Sequence, residues 1–176
     1  MELAVPITMS AEADATDTIE LLFRAHYARL VRALTLVSGS REAAADAVQE
    51  AFVKAHLHWS RIRRYDDPVG WIRRIAINRL RDDHRRSIRK QRAVDRLAAE
   101  PTVTQEDAHD ADLQWMLAQL PGQQRLALAL FYVDRLSVAE VARAMRLSEG
   151  AVKFHLHQGR TRLRKILSDR SMAAGR

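Results

Sequence analysis

The sequence predicts an all-α protein built from two small helical domains joined by a flexible linker. Three observations lead there. Strand signals are scarce, while capping residues recur directly ahead of apolar positions at helical spacing. Charge comes in blocks: acidic over 1–20, basic over 61–92, acidic from Leu97 to Asp112, and basic again from Lys153 to Lys165. Pro101, Thr102 and Thr104 interrupt the second acidic block, and 176 residues suffice for two small domains. Residues 1–16 are read as a disordered tail, 17–92 as the first domain, 93–110 as an acidic linker, 111–170 as the second domain and 171–176 as a closing tail.

The elements follow in order. Asp17 with Glu20 has the pattern of a capping box before a helix through Leu36. Ser40 opens a second helix to about Leu57. Asp67 and Pro68 supply a cap and a first-turn proline for a third, which continues to about Arg92. After the linker, "LQWMLAQL" reads as a helix, Pro121-Gly122 as a break and "QQRLALALFYV" as the next helix. Ser137 with Glu140 caps "VAEVARAM", and Ser148 caps a last long helix to about Ser168. With the turn at Arg146-Leu147-Ser148 between them, these two helices make a helix-turn-helix. Val141, Ala142, Met145 and Leu147 would meet Val152 and Leu156 across that turn and form its core.

Composition narrows the function. The net charge is +7, the pI is about 10.5 and arginine dominates the bases. A basic balance favours a polyanionic partner, and guanidinium forks suit phosphate and guanine, although GC-rich codon usage biases composition the same way. There is no cysteine, which excludes disulfides, thiolate metal sites and cysteine catalysis. The N-terminal stretch "MELAVPITMSAEADATDT" lacks a basic leader and is broken by Pro6, and no run is long and apolar enough to span a membrane. A soluble cytoplasmic protein is expected.

Two stretches carry candidate nucleic-acid readers. In "GWIRRIAINRLRDDHRR" (70–86), Trp71, Ile72, Ile75, Ala76 and Leu80 form one apolar stripe. Arg74, Asn78, Arg81 and Arg85 share a second face that joins positive charge to an amide able to read a base edge. On the last helix Val152, Leu156 and Leu163 point inward, which leaves Glu149, Lys153, Phe154, His157 and Gln158 wholly or partly outward. Lysine donates to guanine, glutamine pairs with adenine, glutamate accepts from cytosine, and Phe154 can touch a thymine methyl. Arg160, Arg162 and Arg164 suit phosphates, which position a domain without specifying sequence.

With both domains in view, the chain resembles the extracytoplasmic-function (ECF) sigma factors, subunits of bacterial RNA polymerase built only from the sigma regions numbered two and four. The family's acidic run before a Gln-Glu pair is matched by "REAAADAVQEAFVKA". Its pattern W-[LI]-x-x-I-A-x-N-x-x-x-D-x-x-R is matched by Trp71, Ile72, Ile75, Ala76, Asn78, Asp82 and Arg85. "LPGQQR" (120–125) and "LSVAEVARAMRLSEGAVK" (136–153) match its region-four entry motif and helix-turn-helix. Each motif is weak alone; four in order, covering roughly 17–92 and 112–167, are specific.

The resemblance implies promoter recognition in transcription initiation, with RNA polymerase core enzyme and promoter DNA as partners and an anti-sigma factor as a candidate third. Asp46, Gln49, Glu50 and Val53 would dock on core polymerase. Tyr65, Asp66 and Asp67, in the loop "SRIRRYDD", would capture a base flipped from the −10 element. Asn78 would contact an unpaired base, while Arg74, Arg81 and Arg85 hold the backbone; Asp82 is read as an intrahelical partner of an arginine. The helix-turn-helix would read the −35 element through the outward residues of its second helix. Two departures, Phe154-His155 for the usual Ser-Arg and Gln158-Gly159-Arg160 for the usual Arg-Ala-Arg, bear on which −35 sequence is read. Domain radii near 11 Å and a linker reaching at most ~60 Å are compatible with elements about 25 base pairs apart, ~85 Å along DNA. The acidic tail and linker are expected to cover basic surface in the free protein.

Two other readings are weaker. A stand-alone helix-turn-helix regulator that binds its operator as a dimer would not need the Gln49-Glu50 stripe together with the tryptophan-asparagine helix. A metal-dependent nuclease would need chelating geometry. His56 with His58 and His155 with His157 are two apart on helices and diverge, as do the consecutive Asp82, Asp83 and His84. No metal, cofactor or covalent chemistry is therefore expected.

Overall fold

A computed structural model describes residues 9–94 and 108–174, with side chains over 18–86 and 111–172. The elements are α1 (Met9–Ser38), α2 (Arg41–Leu57), the short α3 (Trp59–Ile62), α4 (Pro68–Val94), α5 (Ala108–Ala118), α6 (Gly122–Leu128), a π-helical turn (Ala129–Val133), α7 (Val138–Met145) and α8 (Glu149–Ala174). No strand occurs among the described residues.

Most boundaries sit where side-chain chemistry puts them. Ser40 Oγ accepts from Ala43 N–H at 3.2 Å and starts α2. Asp67 Oδ1 accepts from Gly70 N–H at 2.7 Å and starts α4 at Pro68. Ser137 and Glu140 form a complete capping box at α7, and Ser148 Oγ accepts from Ala151 N–H at 3.2 Å ahead of α8. Between α7 and α8 the chain reverses through Arg146 in the left-handed conformation, φ 56°.

Three expectations are corrected. The capping pattern at Asp17 does not start a helix: α1 begins at Met9, inside the expected tail, because alanine-rich 9–16 has nothing to stop it. Glu20 pairs instead with Arg24, one turn on. Similarly, α8 continues past Ser168 and Arg170 to Ala174. The loop before α4 is also shorter than expected, because Trp59 and Ile62 bury themselves as α3 and leave Arg63–Asp67 to turn. Residues 1–8 and 95–107, which hold most of the proposed masking tail and linker, lie outside the described residues.

The first domain packs α2 against α1 and α4; the second packs α6 and α7 against α8. The two do not stand apart. α1 lies against α5, α6 and the π-helical turn, and α4 lies against α7, so the apolar core runs unbroken from Leu34 and Ile72 to Leu130 and Val141. On α4, Ile72, Ala76 and Leu80 are buried as the apolar spacing predicts, Trp71 and Ile75 are half-buried, and Ile77 joins them at 2% exposure.

Candidate nucleic-acid and partner interfaces

The α2 surface is divided sharply. Ala44, Ala47, Val48, Ala51, Phe52 and Ala55 are buried, while Asp46, Gln49 and Val53 are exposed on the other side, Val53 at 52%. Small residues inward let α2 approach α1 and α4 closely, which leaves the outward stripe flat and accessible. Glu50 differs from its neighbours. Its carboxylate bridges Lys54 Nζ at 2.7 Å and Arg79 Nε of α4 at 2.9 Å. The hydrogen bond from Lys54, then the charges of Lys54 and Arg79, hold its pKa below the ordinary carboxylate range. Glu50 therefore ties α2 to α4 as well as facing outward. The intrahelical pairs shown on α4 run from Asp83, to Arg79 at 3.1 Å and Arg86 at 3.7 Å, rather than from the exposed Asp82.

The turn ahead of α4 presents Tyr65 and Asp66 to solvent. Asp67 is half-buried and doubly engaged, as the α4 cap and as a partner of Arg143 Nε on α7 at 3.7 Å. Beyond it Arg74, Asn78 and Arg81 are half-buried and Arg85 exposed, on one face at helical spacing. Burial, then the charge of Arg85, lowers the Arg81 guanidinium from its ordinary value.

On α8, Val152 and Leu156 are buried and Leu163 half-buried. Glu149, Lys153, Phe154 and His157 are exposed, Phe154 at 57%, and Gln158 is half-buried. Phe154 and Lys153 thus stand side by side on the open surface of the first turns of α8. Arg160, Arg162 and Arg164 are exposed further along. Sequence spacing missed that Arg160 and Arg164 also flank an apolar groove of about 300 Å³, whose walls include Leu113 and Leu117 of α5, Tyr132 and Leu167.

It also missed the contacts between the domains. Arg73 Nε of α4 meets Asp134 Oδ2 at 2.6 Å, with both side chains almost wholly buried. Arg125 Nη1 donates to Val37 O and Gln114 Nε2 to Gly39 O, each at 3.0 Å. Partners this far apart in sequence leave no local pattern to read.

These surfaces belong to two recognised sequence families in series. Residues 22–99 match the model for sigma-70 region 2, and residues 111–163 match that for sigma-70 region 4. The chain is 34% identical over 158 residues to the ECF RNA polymerase sigma factor SigM of Mycobacterium tuberculosis, covering 83% of this chain and 75% of that protein. The chain belongs to the ECF sigma factor family. A more distant relative is SigM of Bacillus subtilis, 27% identical over 157 residues and covering 85% of this sigma factor and 94% of that one. The fold is shared with RpoE of Bartonella quintana, solved with the anti-sigma factor NepR: TM-score 0.73, 21% identity, covering 88% of this chain and 97% of that one. It is shared also with CnrH, solved with the cytosolic domain of CnrY: TM-score 0.64, 24% identity, covering 90% and 95%. This sigma factor therefore binds core RNA polymerase and directs promoter recognition, the −35 element through its helix-turn-helix and the −10 element through its N-terminal domain.

Proposed function

We propose that this sigma factor distributes initiation over three surfaces. Asp46, Gln49, Glu50 and Val53 on α2 grip core polymerase. Tyr65, Asp66 and Asp67 receive the flipped −10 base, Asn78 contacts an unpaired base, and Arg74, Arg81 and Arg85 hold the opened strand. Glu149, Lys153, Phe154, His157 and Gln158 read the −35 element, while Arg160, Arg162 and Arg164 hold its phosphates. Residues 17–92 carry the first two tasks and 111–170 the third. The observation that supports this best is the separation of the faces: the carboxylate-and-amide stripe is exposed on α2, the cations lie on α4, and the mixed reading face lies on α8. None of the three tasks requires the chain to break a covalent bond, and its site of action is the cytoplasm.

Run-off transcription with purified core polymerase tests the reading. The wild-type chain is expected to co-elute with core enzyme and to direct promoter-dependent transcripts. A chain that never co-elutes at low ionic strength, with no inhibitor present, would refute it. By likeness to the RpoE–NepR complex, an anti-sigma factor is the third partner we infer, and a protein that abolishes that co-elution stoichiometrically is what its presence predicts.

A further inference from the structure

Of the five glycines with described surroundings, three have a reason within the fold. Gly39 carries the left-handed backbone that follows α1, φ 80°. At Gly70 a β-carbon would meet the Asp67 carboxylate, and at Gly159 the buried Leu128. Gly150, the second residue of α8, has no such reason. Its φ is not left-handed, and a β-carbon built there would meet only Ser148 Oγ, at 3.9 Å, an ordinary contact.

Nor does α8 need this glycine to start. Ser148 Oγ accepts from Ala151 N–H at 3.2 Å and Ser148 O from Val152 N–H at 3.1 Å. The left-handed residue of the turn is Arg146. Glycine is the poorest helix former after proline, so alanine at 150 would serve the free fold better.

The face that Gly150 shares is the reading surface. Gly150, Lys153, Phe154 and His157 stand at i, i+3, i+4 and i+7, and all four are exposed. At about 100° per residue, the three side chains fall within about 60° of the bare position, whereas buried Val152 and Leu156 lie on the opposite side. The stripe therefore begins without a side chain, at the end of a recognition helix whose residues contact base edges. Space in the groove is short: a helix with its side chains is about 10–12 Å across, and the major groove is about 12 Å wide. Where the side chain is missing, the backbone can sit nearer the bases.

We propose that Gly150 is a specificity-determining residue of the −35 reader: its bare backbone is where α8 comes closest to the base pairs, and that depth of seating sets the reach of Lys153 and Phe154. The inference rests on the reading of α8 proposed above.

The test uses holoenzyme assembled from the full chain and core polymerase. Wild-type holoenzyme selects duplexes from a library randomised at the −35 element. Each variant is then scored by the ratio of its affinities for the selected duplex and for the same duplex with that element scrambled. Gly150→Ala should lower the ratio on the order of tenfold, the effect of one spoiled base pair. Gly150→Leu should bring it close to one. Gly122→Ala, which also enters open space, at the start of α6, should leave the ratio unchanged. Gly150→Ala should unfold in urea at or above the wild-type midpoint, which separates the role from a structural one. Phe154→Ala should lower the ratio less in the Gly150→Ala background than in wild type, because a helix held away from the bases has already lost that reach. A wild-type ratio in Gly150→Ala, a midpoint below wild type, an equal fall in Gly122→Ala, or full additivity with Phe154→Ala would each overturn the role of Gly150. A wild-type ratio of one would instead strike the reading of α8 itself.

Discussion

Gly159 on α8 lies so close to Leu128 on α6 that a β-carbon at Gly159 would stand 2.7 Å from Leu128 Cδ1 and 3.2 Å from its Cγ. Leu128 is itself buried, so it has little room to yield. The glycine is where the family often has alanine, and the departure lets the reading helix settle closely on α6. Gly159→Ala should gain about 1 kcal/mol of helix propensity but lose about 2 kcal/mol to overpacking, a net destabilisation of about 1 kcal/mol in urea unfolding. Shortening the neighbour should relieve it: Gly159→Ala with Leu128→Val is expected to be more stable than the sum of the single changes by at least about 0.5 kcal/mol.

Acid should loosen the helix-turn-helix at Glu140. Its carboxylate accepts from Ser137 N–H at 2.8 Å and from the Ser137 hydroxyl at 2.7 Å, and these bonds, the backbone one first, lower its pKa below the ordinary 4.5. A carboxyl with a depressed folded pKa contributes stability that is complete above its unfolded value and lost as pH falls through the folded one. Unfolding curves from about pH 6 to about pH 3 should therefore fall less steeply for Glu140→Gln than for wild type. Ser137→Ala should cost about 1 kcal/mol near neutrality. Parallel curves for Glu140→Gln and wild type would refute the assignment.

Glu50 and Gln49 should separate docking from folding. Gln49 is exposed, so Gln49→Ala should weaken polymerase co-elution while leaving the unfolding midpoint within about 0.5 kcal/mol of wild type. Glu50→Ala removes the bridge between Lys54 and Arg79 as well, and should lower both polymerase binding and stability, the latter by up to about 1 kcal/mol given its partial exposure.

Asn78 should act late. It is half-buried between Arg74 and Arg81 on the cationic face of α4. In the polymerase complex, Asn78→Ala should reduce strand opening, read by the chemical reactivity of unpaired bases, roughly tenfold, a loss of about 1–3 kcal/mol for one base contact. Duplex binding by gel shift should change much less, and equal losses in both steps would contradict the role.

Gly70 should prove needed for the turn ahead of α4. A β-carbon there would collide with the Asp67 carboxylate, whose Oδ1 caps α4 through Gly70 N–H. Gly70→Ala should displace the cap at a cost of about 1 kcal/mol and free Arg143 from Asp67, detected as faster amide exchange at the start of α4.

Local signals carry much of this architecture. Ser40, Asp67, Ser137 and Ser148 mark helix starts because a capping bond spans only two or three residues, and Val141 against Val152 follows from helical spacing across a short turn. Asp17 misled because a capping residue is tolerated inside a long helix when nothing ahead of it breaks the chain. The outward stripe of α2 and the cationic face of α4 are likewise readable, since a helix converts spacing into faces. The sequence by itself thus determined the helices, their faces and the family. Only the tertiary structure decided that the domains dock, that Arg73 turns away from the cationic face to meet Asp134, that Asp67 is held by Arg143, and that Arg160 and Arg164 flank an apolar groove. Such pairings join residues tens of positions apart, and a charge carries no local mark of the partner that burial will give it.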